Sequence, residues 1–399
     1  MREPRLYIVG PDEILKGVAT DIYFLRTKRI LEAKNLCDLR VRYELHTHGF
    51  PKGYEWAVFA GLEEALALLQ GRRVDVYALP EGTLFRSEQP LMVLEGPICE
   101  IVTLETALLG LLRFATSVAT KAARIKKLAR DKQVLFFGLR AHHPALQVSL
   151  DRAAYIGGAD AISGALSEEY LGLVPKGTMP HALIIAFGSP VDAWKAYDEV
   201  MPPDVPRIAL CDTFYDERYE SLLAAQSLGK KLVAVRLDTP RSRRGSMRKI
   251  VEEVRWTLDL HGYRNVKIVV SGGIGERAVA ELRDVADYFG VGTSIAFPPS
   301  VDISMDIVEV FRDGRWVPVS KRGKLPGMKQ LYRCKPIYED YVVPWGTEAP
   351  RCRDDSEPRP MLTKFIENGR LIRELPSLEE IRRYVLSQLS EMPEPEPLD

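Results

Sequence analysis

The chain has 399 residues, 46% of them hydrophobic, so we expect two or three domains with a large buried core. Its 55 Lys and Arg residues balance 55 Asp and Glu residues, so no overall field favours nucleic acid or an anionic membrane. The charged start argues against a signal peptide, and no apolar run is long enough to span a membrane. Five scattered cysteines favour a reduced, cytoplasmic compartment over a disulfide scaffold.

The amino-terminal part, 1–110, is predicted to be a mixed α/β domain. Helical periodicity covers 55–70, and alternation predicts a strand over 73–79 before a turn at 80–82. A long helix over 104–131 then leads into the second predicted domain, 111–300.

The second domain contains short β-rich runs separated by helical or loop segments. These runs cover 134–138, 182–187, 207–212, 232–238, 267–271 and 292–297. Strands that alternate with crossover segments indicate a parallel sheet. So many of them predict an open or irregular TIM-like α/β barrel, with a doubly wound open sheet as the alternative.

The remaining residues, 301–399, are predicted to form a small carboxy-terminal domain with a cysteine-containing loop. Alternation over 307–320 around Asp313 and Gly314 predicts a hairpin. A final helix over 377–391 has Ser377 and Glu380 in capping-box spacing. The Pro/Glu-rich tail that follows is predicted to be disordered.

Two glycine turns follow the last two β-rich units and point to a phosphate. One is Ser271-Gly272-Gly273, and the other contains Gly290, Gly292 and Thr293. Phosphate commonly binds the loops after the last two strands of an α/β barrel, where glycines let backbone N–H groups face the anion. The alternative is that both are ordinary strand-to-helix turns.

Charged residues lie at the ends of two consecutive β-rich runs. Asp212 ends RIALCD, and Asp238 ends LVAVRLD two residues after Arg236, on the same side of the strand. A buried acid is costly without a partner, so we expect a role in holding ribose hydroxyls or Mg²⁺. The alternative is an internal salt bridge between Asp238 and Arg236.

Other polar residues are weaker candidates. Arg140 follows the run at 134–138 and is favoured as an anion contact, whereas the arginine run 241–248 is more typical of a solvated surface. His181, between a Gly-Thr turn and an apolar run, is by itself an ordinary loop residue. The chain has neither a Gly-x-Ser-x-Gly elbow nor a Walker A sequence.

Short motifs in a fixed order resemble a known family. The motifs are TDIYFLRT, LPEGTLFRSEQPLMVLEGP, ETALLGLLRFATSVATKAAR, FGLR, YIGGAD, GTMPHA, CDT, VRLD, VSGGI, GVGTS and KLPGMKQLYR. In this order they resemble nicotinate phosphoribosyltransferase, in its compact archaeal form, within the type II phosphoribosyltransferase group.

The resemblance implies an activity and its co-substrates. It implies transfer of phosphoribosyl from phosphoribosyl pyrophosphate to nicotinate, giving nicotinate mononucleotide and pyrophosphate in NAD biosynthesis or salvage. It also implies Mg²⁺, and a ligase-like coupling to ATP hydrolysis through a phosphohistidine at His181. Homodimers or higher oligomers are expected, because Tyr23 would reach the pyridine ring of a neighbouring subunit.

The resemblance also assigns roles to individual residues. Phe137 would stack on the pyridine, Arg236 would pair with the carboxylate, Arg140 would contact pyrophosphate, and Asp212 and Asp238 would act in catalysis at the ribose or Mg²⁺. The remaining implied substrate contacts are Thr178, Ser271, Gly272, Gly273, Gly290, Gly292, Thr293, Lys321 and Lys324.

The sequence departs from the family in two places, and two alternative functions are left open. Archaeal relatives resemble zinc-knuckle proteins, but Cys334 and Cys352 make only half of a tetrahedral zinc site. The alternative functions are quinolinate phosphoribosyltransferase, which decarboxylates its product and needs no ATP, and a non-catalytic sugar-phosphate sensor. VRLD is followed here by Thr239-Pro240-Arg241 rather than the family's usual Ser-Gly-Asp.

Overall fold

A computed structural model describes residues 3–335 and 339–398. The outermost ends of the predicted domains, 1–2 and 399, and 336–338 in the predicted cysteine-containing loop lie outside the described residues. The strands are β1 Arg40–His46, β2 Ala57–Val58, β3 Asp75–Ala78, β4 Leu84–Phe85, β5 Pro90–Pro97, β6 Gln133–Phe136, β7 Arg207–Leu210, β8 Leu232–Leu237, β9 Lys267–Val270, β10 Tyr288–Val291, β11 Ser304–Arg312, β12 Arg315–Pro318, β13 Lys329–Arg333, β14 Asp340–Pro344, β15 Arg359–Pro360, β16 Thr363–Glu367 and β17 Arg370–Leu371. The α-helices are α1 Pro11–Leu15, α2 Ile22–Ala33, α3 Leu62–Leu69, α4 Ile98–Ile101, α5 Glu105–Ala129, α6 Gln147–Ile156, α7 Ser167–Leu171, α8 His181–Phe187, α9 Pro190–Val200, α10 Glu217–Leu228, α11 Met247–Leu260, α12 Glu276–Leu282, α13 Thr293–Ala296 and α14 Leu378–Glu391.

The chain forms two compact units. The first comprises Met1–Thr120 and Pro299–Pro393, and the second comprises Lys121–Pro298 and Glu394–Asp399. The predicted carboxy-terminal domain is therefore distributed over both units. The fold is mixed α/β, with an amino-terminal α/β domain and a parallel sheet in the second unit.

The first unit is built on a seven-stranded sheet of order β12-β11-β1-β5-β3-β16-β17. Its pairs are antiparallel, and its central strand β5 is buried along almost its whole length. The predicted hairpin is confirmed as β11 and β12, with Asp313 and Gly314 at positive φ in the turn. The predicted helix 377–391 is confirmed as α14, including its Ser377–Glu380 capping box.

The second unit contains a five-stranded parallel sheet of order β6-β10-β9-β8-β7. A single parallel bridge from Leu135 to Ala161 adds to the β6 edge, and the described residues close no barrel, so the TIM-like sheet is open. The sequences of these strands are short apolar runs because residues on both faces of the sheet are buried, as is usual for parallel sheets.

Two of the six predicted β-rich runs are helical. Residues 182–187 lie in α8, and 292–297 contain α13, just after strand β10. Short apolar runs do not distinguish a strand from a helix by periodicity, which explains both errors. Ile185 and Phe187 of α8 are moreover exposed, whereas a central strand would have buried them.

The cysteines and the tail also differ from expectation. Two disulfides, Cys37–Cys99 and Cys334–Cys352, leave a buried Cys211 as the one free thiol among the described residues. The expectation of reduced thiols is therefore wrong, and so is the half zinc site, because a disulfide offers no thiolate to a metal. The tail predicted to be disordered is held by ion pairs of Glu394.

In the part of the chain that the structure describes, no helix has both the length and the apolar character needed to cross a bilayer.

Candidate functional site

A cavity of about 520 Å³ lies beyond the carboxyl ends of the strands of the second unit. It brings together the glycine turns and the charged strand ends that the sequence singled out. The lining residues are Phe137, Gly138, Arg140, Arg236, Asp238, Arg241, Ser271, Gly272, Gly273, Ile274, Gly275, Gly290, Gly292, Thr293, Ser294 and Phe297. This edge of an open parallel sheet is where α/β proteins place their ligands.

The first wall is the glycine loop, residues 271–275, between β9 and α12. Gly272 and Gly273 have φ values of 82° and 71°, which L side chains rarely adopt. A Cβ on Gly272 would lie 2.6 Å from the backbone oxygen of Asp238, so the loop approaches β8 too closely for a side chain. Within the described residues, the amides of Gly272 and Gly273 donate to no protein acceptor, which leaves them available to an anion.

The second wall follows β10, where glycines allow close contact with the segment after β6. A Cβ on Gly290 would meet the ring of Phe137 and the Cβ of Ser271, both at 2.9 Å. A Cβ on Gly292 would lie 3.1 Å from the backbone oxygen of Phe137. Both glycines are thus required by packing, and with Thr293 they complete the cavity.

Arg236 is the centre of a hydrogen-bond network between the walls. Its guanidinium donates to Ser271 Oγ at 2.9 Å and to Thr178 Oγ1 at 2.8 Å, and it lies 3.3 Å from Asp238 Oδ1. Ser271 Oγ in turn donates to Asp238 at 2.6 Å, and the guanidinium lies 5.5 Å from the centroid of the Phe137 ring. The internal salt bridge that the sequence left open is therefore present, in the wall of the cavity.

Asp212 and His181 form a pair beside this network. His181 Nε2 lies 3.0 Å from Asp212 Oδ1, while Asp212 Oδ2 accepts from Asp238 N at 2.8 Å and Thr239 Oγ1 at 3.1 Å. Burial raises the pKa of Asp212, although His181 and the hydrogen bond from the Asp238 amide oppose the rise. The Asp212 side chain is only 3% exposed and that of His181 is 39% exposed, so only the histidine faces solvent.

A second cavity of about 380 Å³ adjoins the first. Thr178 and His181 line it, and it shares four residues with the first cavity: Phe137, Arg140, Arg236 and Asp238. The two cavities thus meet at a wall that contains the Phe137 ring, the side chains of Arg140 and Arg236, and Asp238.

Sequence reasoning missed or underrated several lining residues. The sequence pattern predicts a solvated surface for Arg241, yet this residue lines the larger cavity three residues after Asp238. Its position in the loop after a strand was the available signal. Ile274, Ser294 and Phe297 carried no chemical signal of their own.

Three predicted substrate contacts lie in the first unit and line neither cavity. Tyr23 is exposed on α2. Lys321 and Lys324 both pair with Asp306, at 2.7 Å and 3.2 Å. Their roles toward a substrate stay predictions.

Metal-ligand side chains meet in the first unit at His46, His48 and Asp306. The Nε2 atoms of the two histidines are 3.2 Å apart. Lys324 Nζ lies 3.2 Å from both His46 Nε2 and Asp306 Oδ2. An ammonium group thus already takes the place of a cation, and this cluster supports no metal site.

Comparison with known proteins identifies the architecture. The family model for the quinolinate phosphoribosyl transferase C-terminal domain matches residues 118–306, and the model for the N-terminal domain matches residues 21–116. A solved structure described as nicotinate-nucleotide pyrophosphorylase from Pyrococcus furiosus is 50% identical, covers 98% of this chain and 99% of its own, and has a TM-score of 0.93.

More distant relatives carry another name. Nicotinate phosphoribosyltransferase pncB2 of Mycobacterium tuberculosis is 28% identical over 94% of this chain and 87% of its own. The human nicotinic acid phosphoribosyltransferase structure is 24% identical, covers 94% of each chain and has a TM-score of 0.78, which indicates the shared fold alone.

These findings overturn part of the expected function. The assignment to nicotinate phosphoribosyltransferase is wrong, because both domain models are those of quinolinate phosphoribosyl transferase and the 50% identical structure is described as a nicotinate-nucleotide pyrophosphorylase. The ATP-coupled, ligase-like reaction falls with it, since the quinolinate family uses no ATP as co-substrate. The cofactor set of Mg²⁺, ATP and Zn²⁺ has no support from the matched family or the structure.

Proposed function

This chain belongs to the quinolinate phosphoribosyltransferase family, and we propose that it transfers phosphoribosyl from phosphoribosyl pyrophosphate to quinolinate, releasing pyrophosphate and CO₂ and forming nicotinate mononucleotide. The observation that carries the proposal is the pair of adjoining cavities. The larger cavity has free glycine amides that can bind a phosphate. The wall that the two cavities share has an aromatic ring and two arginines that can bind a pyridine acid.

The charges of the larger cavity suit a polyanion. Arg140, Arg236 and Arg241 contribute three guanidinium groups to its wall, against one carboxylate from Asp238. Arg140 is exposed and has no ion-pair partner among the described residues, so its charge is available to a ligand. Such fixed cations stabilise a departing pyrophosphate without reorganisation during the reaction.

A dicarboxylate acceptor fits the shared wall. Arg236 and Arg140 supply the two cationic contacts that quinolinate needs, and Phe137 supplies a face for the ring. Arg241 lines the larger cavity but not the smaller one, so it is then available to the pyrophosphate.

The glycosyl transfer relies mainly on positioning. The amides of the glycine loop and Thr293 hold the 5′-phosphate, while Asp238 contacts the ribose hydroxyls. The pyridine nitrogen forms a bond to C1′ as the C1′–O bond to pyrophosphate breaks, and pyrophosphate departs with that electron pair. No proton transfer is required in this step, so orientation supplies most of the rate enhancement.

Decarboxylation follows from the charge created by the transfer. Once the ring nitrogen is bonded to C1′ it is cationic, so it stabilises the electron pair left on C2 when the C2–carboxylate bond breaks. CO₂ leaves, and a proton from water replaces it on C2. Asp212 and His181 help this site by holding the end of β8, through the bond from the Asp238 amide to Asp212.

The assembly and location complete the proposal. Tyr23 is a candidate for a contact to substrate across an interface in a homodimer or larger oligomer, and Lys321 and Lys324 are candidates for contacts to the nucleotide or pyrophosphate. Tyr23 is available for this because 55% of its surface is exposed. A cytoplasmic location also stays a prediction.

The test measures products with two acceptors offered separately. Purified protein and phosphoribosyl pyrophosphate are mixed with quinolinate or nicotinate, each with and without ATP. Pyrophosphate is quantified, and so is CO₂ from quinolinate labelled in its C2 carboxylate. We expect one CO₂ per pyrophosphate from quinolinate, with no effect of ATP.

Two results would contradict the proposal. Turnover of nicotinate without turnover of quinolinate would reassign the acceptor. Binding of phosphoribosyl pyrophosphate without pyrophosphate release from either acceptor would indicate a sensor. An Arg140→Gln variant refines the test: its KM for quinolinate should rise roughly 10-fold or more, as expected for loss of a charge-assisted contact.

A further inference from the structure

A buried ion cluster lies immediately behind the glycine loop. Glu276, the first residue of α12, follows the loop directly, and its side chain is fully buried. Its carboxylate accepts from Lys121 Nζ at 2.6 Å and from Arg124 Nε and Nη2 at 3.0 and 2.8 Å. The backbone N–H of Leu398 is a further donor, at 2.9 Å.

The tail, residues 394–398, completes this cluster from the other end of the sequence. Arg124 Nη2 donates to the backbone oxygen of Glu396 at 2.7 Å. Glu394 anchors the same segment through Arg130 at 2.6 Å and Arg283 at 2.8 Å. Hydrogen bonds from these two arginines lower the pKa of Glu394 to about 2, so the anchor is charged at neutral pH.

The burial makes each of these contacts costly to lose. Two cations share one carboxylate in the cluster, and a buried charged group that loses one of its hydrogen bonds is destabilised. The tail supplies one acceptor to Arg124 and one donor to Glu276. Without the tail, water or a rearranged side chain would have to replace both contacts.

The glycine loop depends on its two ends for its shape. At the first end, Ser271 is fixed by a bond from its N–H to Leu237 O at 2.8 Å and by its hydroxyl contact with Asp238. At the second end, Glu276 is fixed by the ion cluster. Between them, Gly272 and Gly273 have the greatest backbone freedom of any residue type. Ordering them only on binding would cost affinity.

We propose that the tail, residues 394–398, positions the glycine loop: by completing the hydrogen bonds of Glu276 and Arg124, it keeps the loop amides in the arrangement that binds the 5′-phosphate of the ribose substrate. The inference rests on the proposed function only for the phosphoribosyl half of the reaction. Glu276 is a positioning residue in this scheme, since it acts through the loop.

The first test removes the tail by ending the chain after Pro393. Calorimetric titration with ribose 5-phosphate measures the phosphate site directly, and steady-state kinetics give KM for each substrate. We expect the Kd for ribose 5-phosphate and the KM for phosphoribosyl pyrophosphate to rise about 10-fold, because the free loop must be ordered on binding. The KM for the acceptor should be unchanged.

A matched pair of substitutions tests a single hydrogen bond in the full chain. Leu398→Pro removes the N–H that Glu276 accepts, whereas Leu398→Ala keeps it and shortens a half-buried side chain. We expect about a 5-fold rise in Kd for ribose 5-phosphate with proline and no change with alanine. This pair decides the question if the shortened chain does not fold.

The outcomes separate this inference from the proposed function. If the folded, shortened chain binds ribose 5-phosphate as tightly as the intact protein, or if the proline and alanine variants behave alike, the tail does not position the loop. If quinolinate is not turned over but ribose 5-phosphate binding still depends on the tail, the proposed function fails and this inference stands.

Discussion

Alanine substitution at Gly272 can be compared with the same substitution at Gly273, which serves as its control. Both have positive φ, so alanine at either position pays the left-handed backbone penalty of about 1–2 kcal/mol. Both substitutions also reduce the entropy of the unfolded chain equally, and that effect cancels in the comparison. The two sites differ only in what the new Cβ meets.

The difference can be worked out from the contacts. A Cβ on Gly273 meets no atom within 4 Å, whereas one on Gly272 lies 2.6 Å from the backbone oxygen of Asp238. A backbone oxygen cannot rotate away as a side chain can, and overpacking of this kind typically costs 1–3 kcal/mol. We therefore expect Gly272→Ala to lower the free energy of unfolding by about 2 kcal/mol more than Gly273→Ala does.

The assay is equilibrium unfolding in urea for both variants, with pyrophosphate release as the functional measurement. Relief of the clash in Gly272→Ala must move the glycine loop away from β8. The KM for phosphoribosyl pyrophosphate should then rise at least about 10-fold in that variant. Equal losses of stability at the two positions would refute the close approach of the loop to Asp238 on which the site geometry depends.

Three further predictions concern charge and redox state. Arg236→Lys should lower kcat/KM by roughly 10-fold to 100-fold, since an ammonium cannot reproduce the bonds to Ser271 and Thr178 together. Glu105 has a pKa raised to about 7, chiefly by burial, so folding favours its protonated form. Wild-type stability should therefore fall relative to Glu105→Gln by about 1 kcal/mol as pH rises from 4.5 to 7, measured by urea unfolding. A thiol titration of the denatured, unreduced protein should find Cys211 alone, and five thiols would disprove both disulfides.

The parallel sheet and its glycine turns could be predicted because they have local causes. Short β-branched runs indicate buried strands, and Gly272 and Gly290 mark places where a Cβ would meet backbone or a ring. Strand ends then bring Arg236, Asp238 and Ser271 together without further information. The elements with the clearest periodicity, such as α5 and α14, were also located well.

The remaining features depend on contacts that no local pattern encodes. The disulfide partners Cys37 and Cys99 are 62 residues apart, and their spacing offers no signature. The tail has a composition typical of disorder, yet Glu394 is bound by Arg130 and Arg283, which directly follow α5 and α12 and are distant from it in sequence. Likewise, α8 is an apolar run in which Ile185 and Phe187 are exposed. A prediction that assumes apolar runs to be buried assigns this segment to a strand.

The error over the acceptor and ATP has a related cause. Motifs such as VSGGI and GVGTS form the glycine turns of the larger cavity, where we propose that the 5′-phosphate binds, and these turns do not determine which pyridine acid is used. GTMPHA suggested a phosphorylated histidine, but the structure gives His181 a sufficient role without ATP. Asp212 is a buried carboxylate that needs donors, and His181, Asp238 N and Thr239 provide them. A histidine that satisfies a buried acid in this way is expected whether or not it is ever phosphorylated, so its presence in a motif cannot by itself establish ATP coupling.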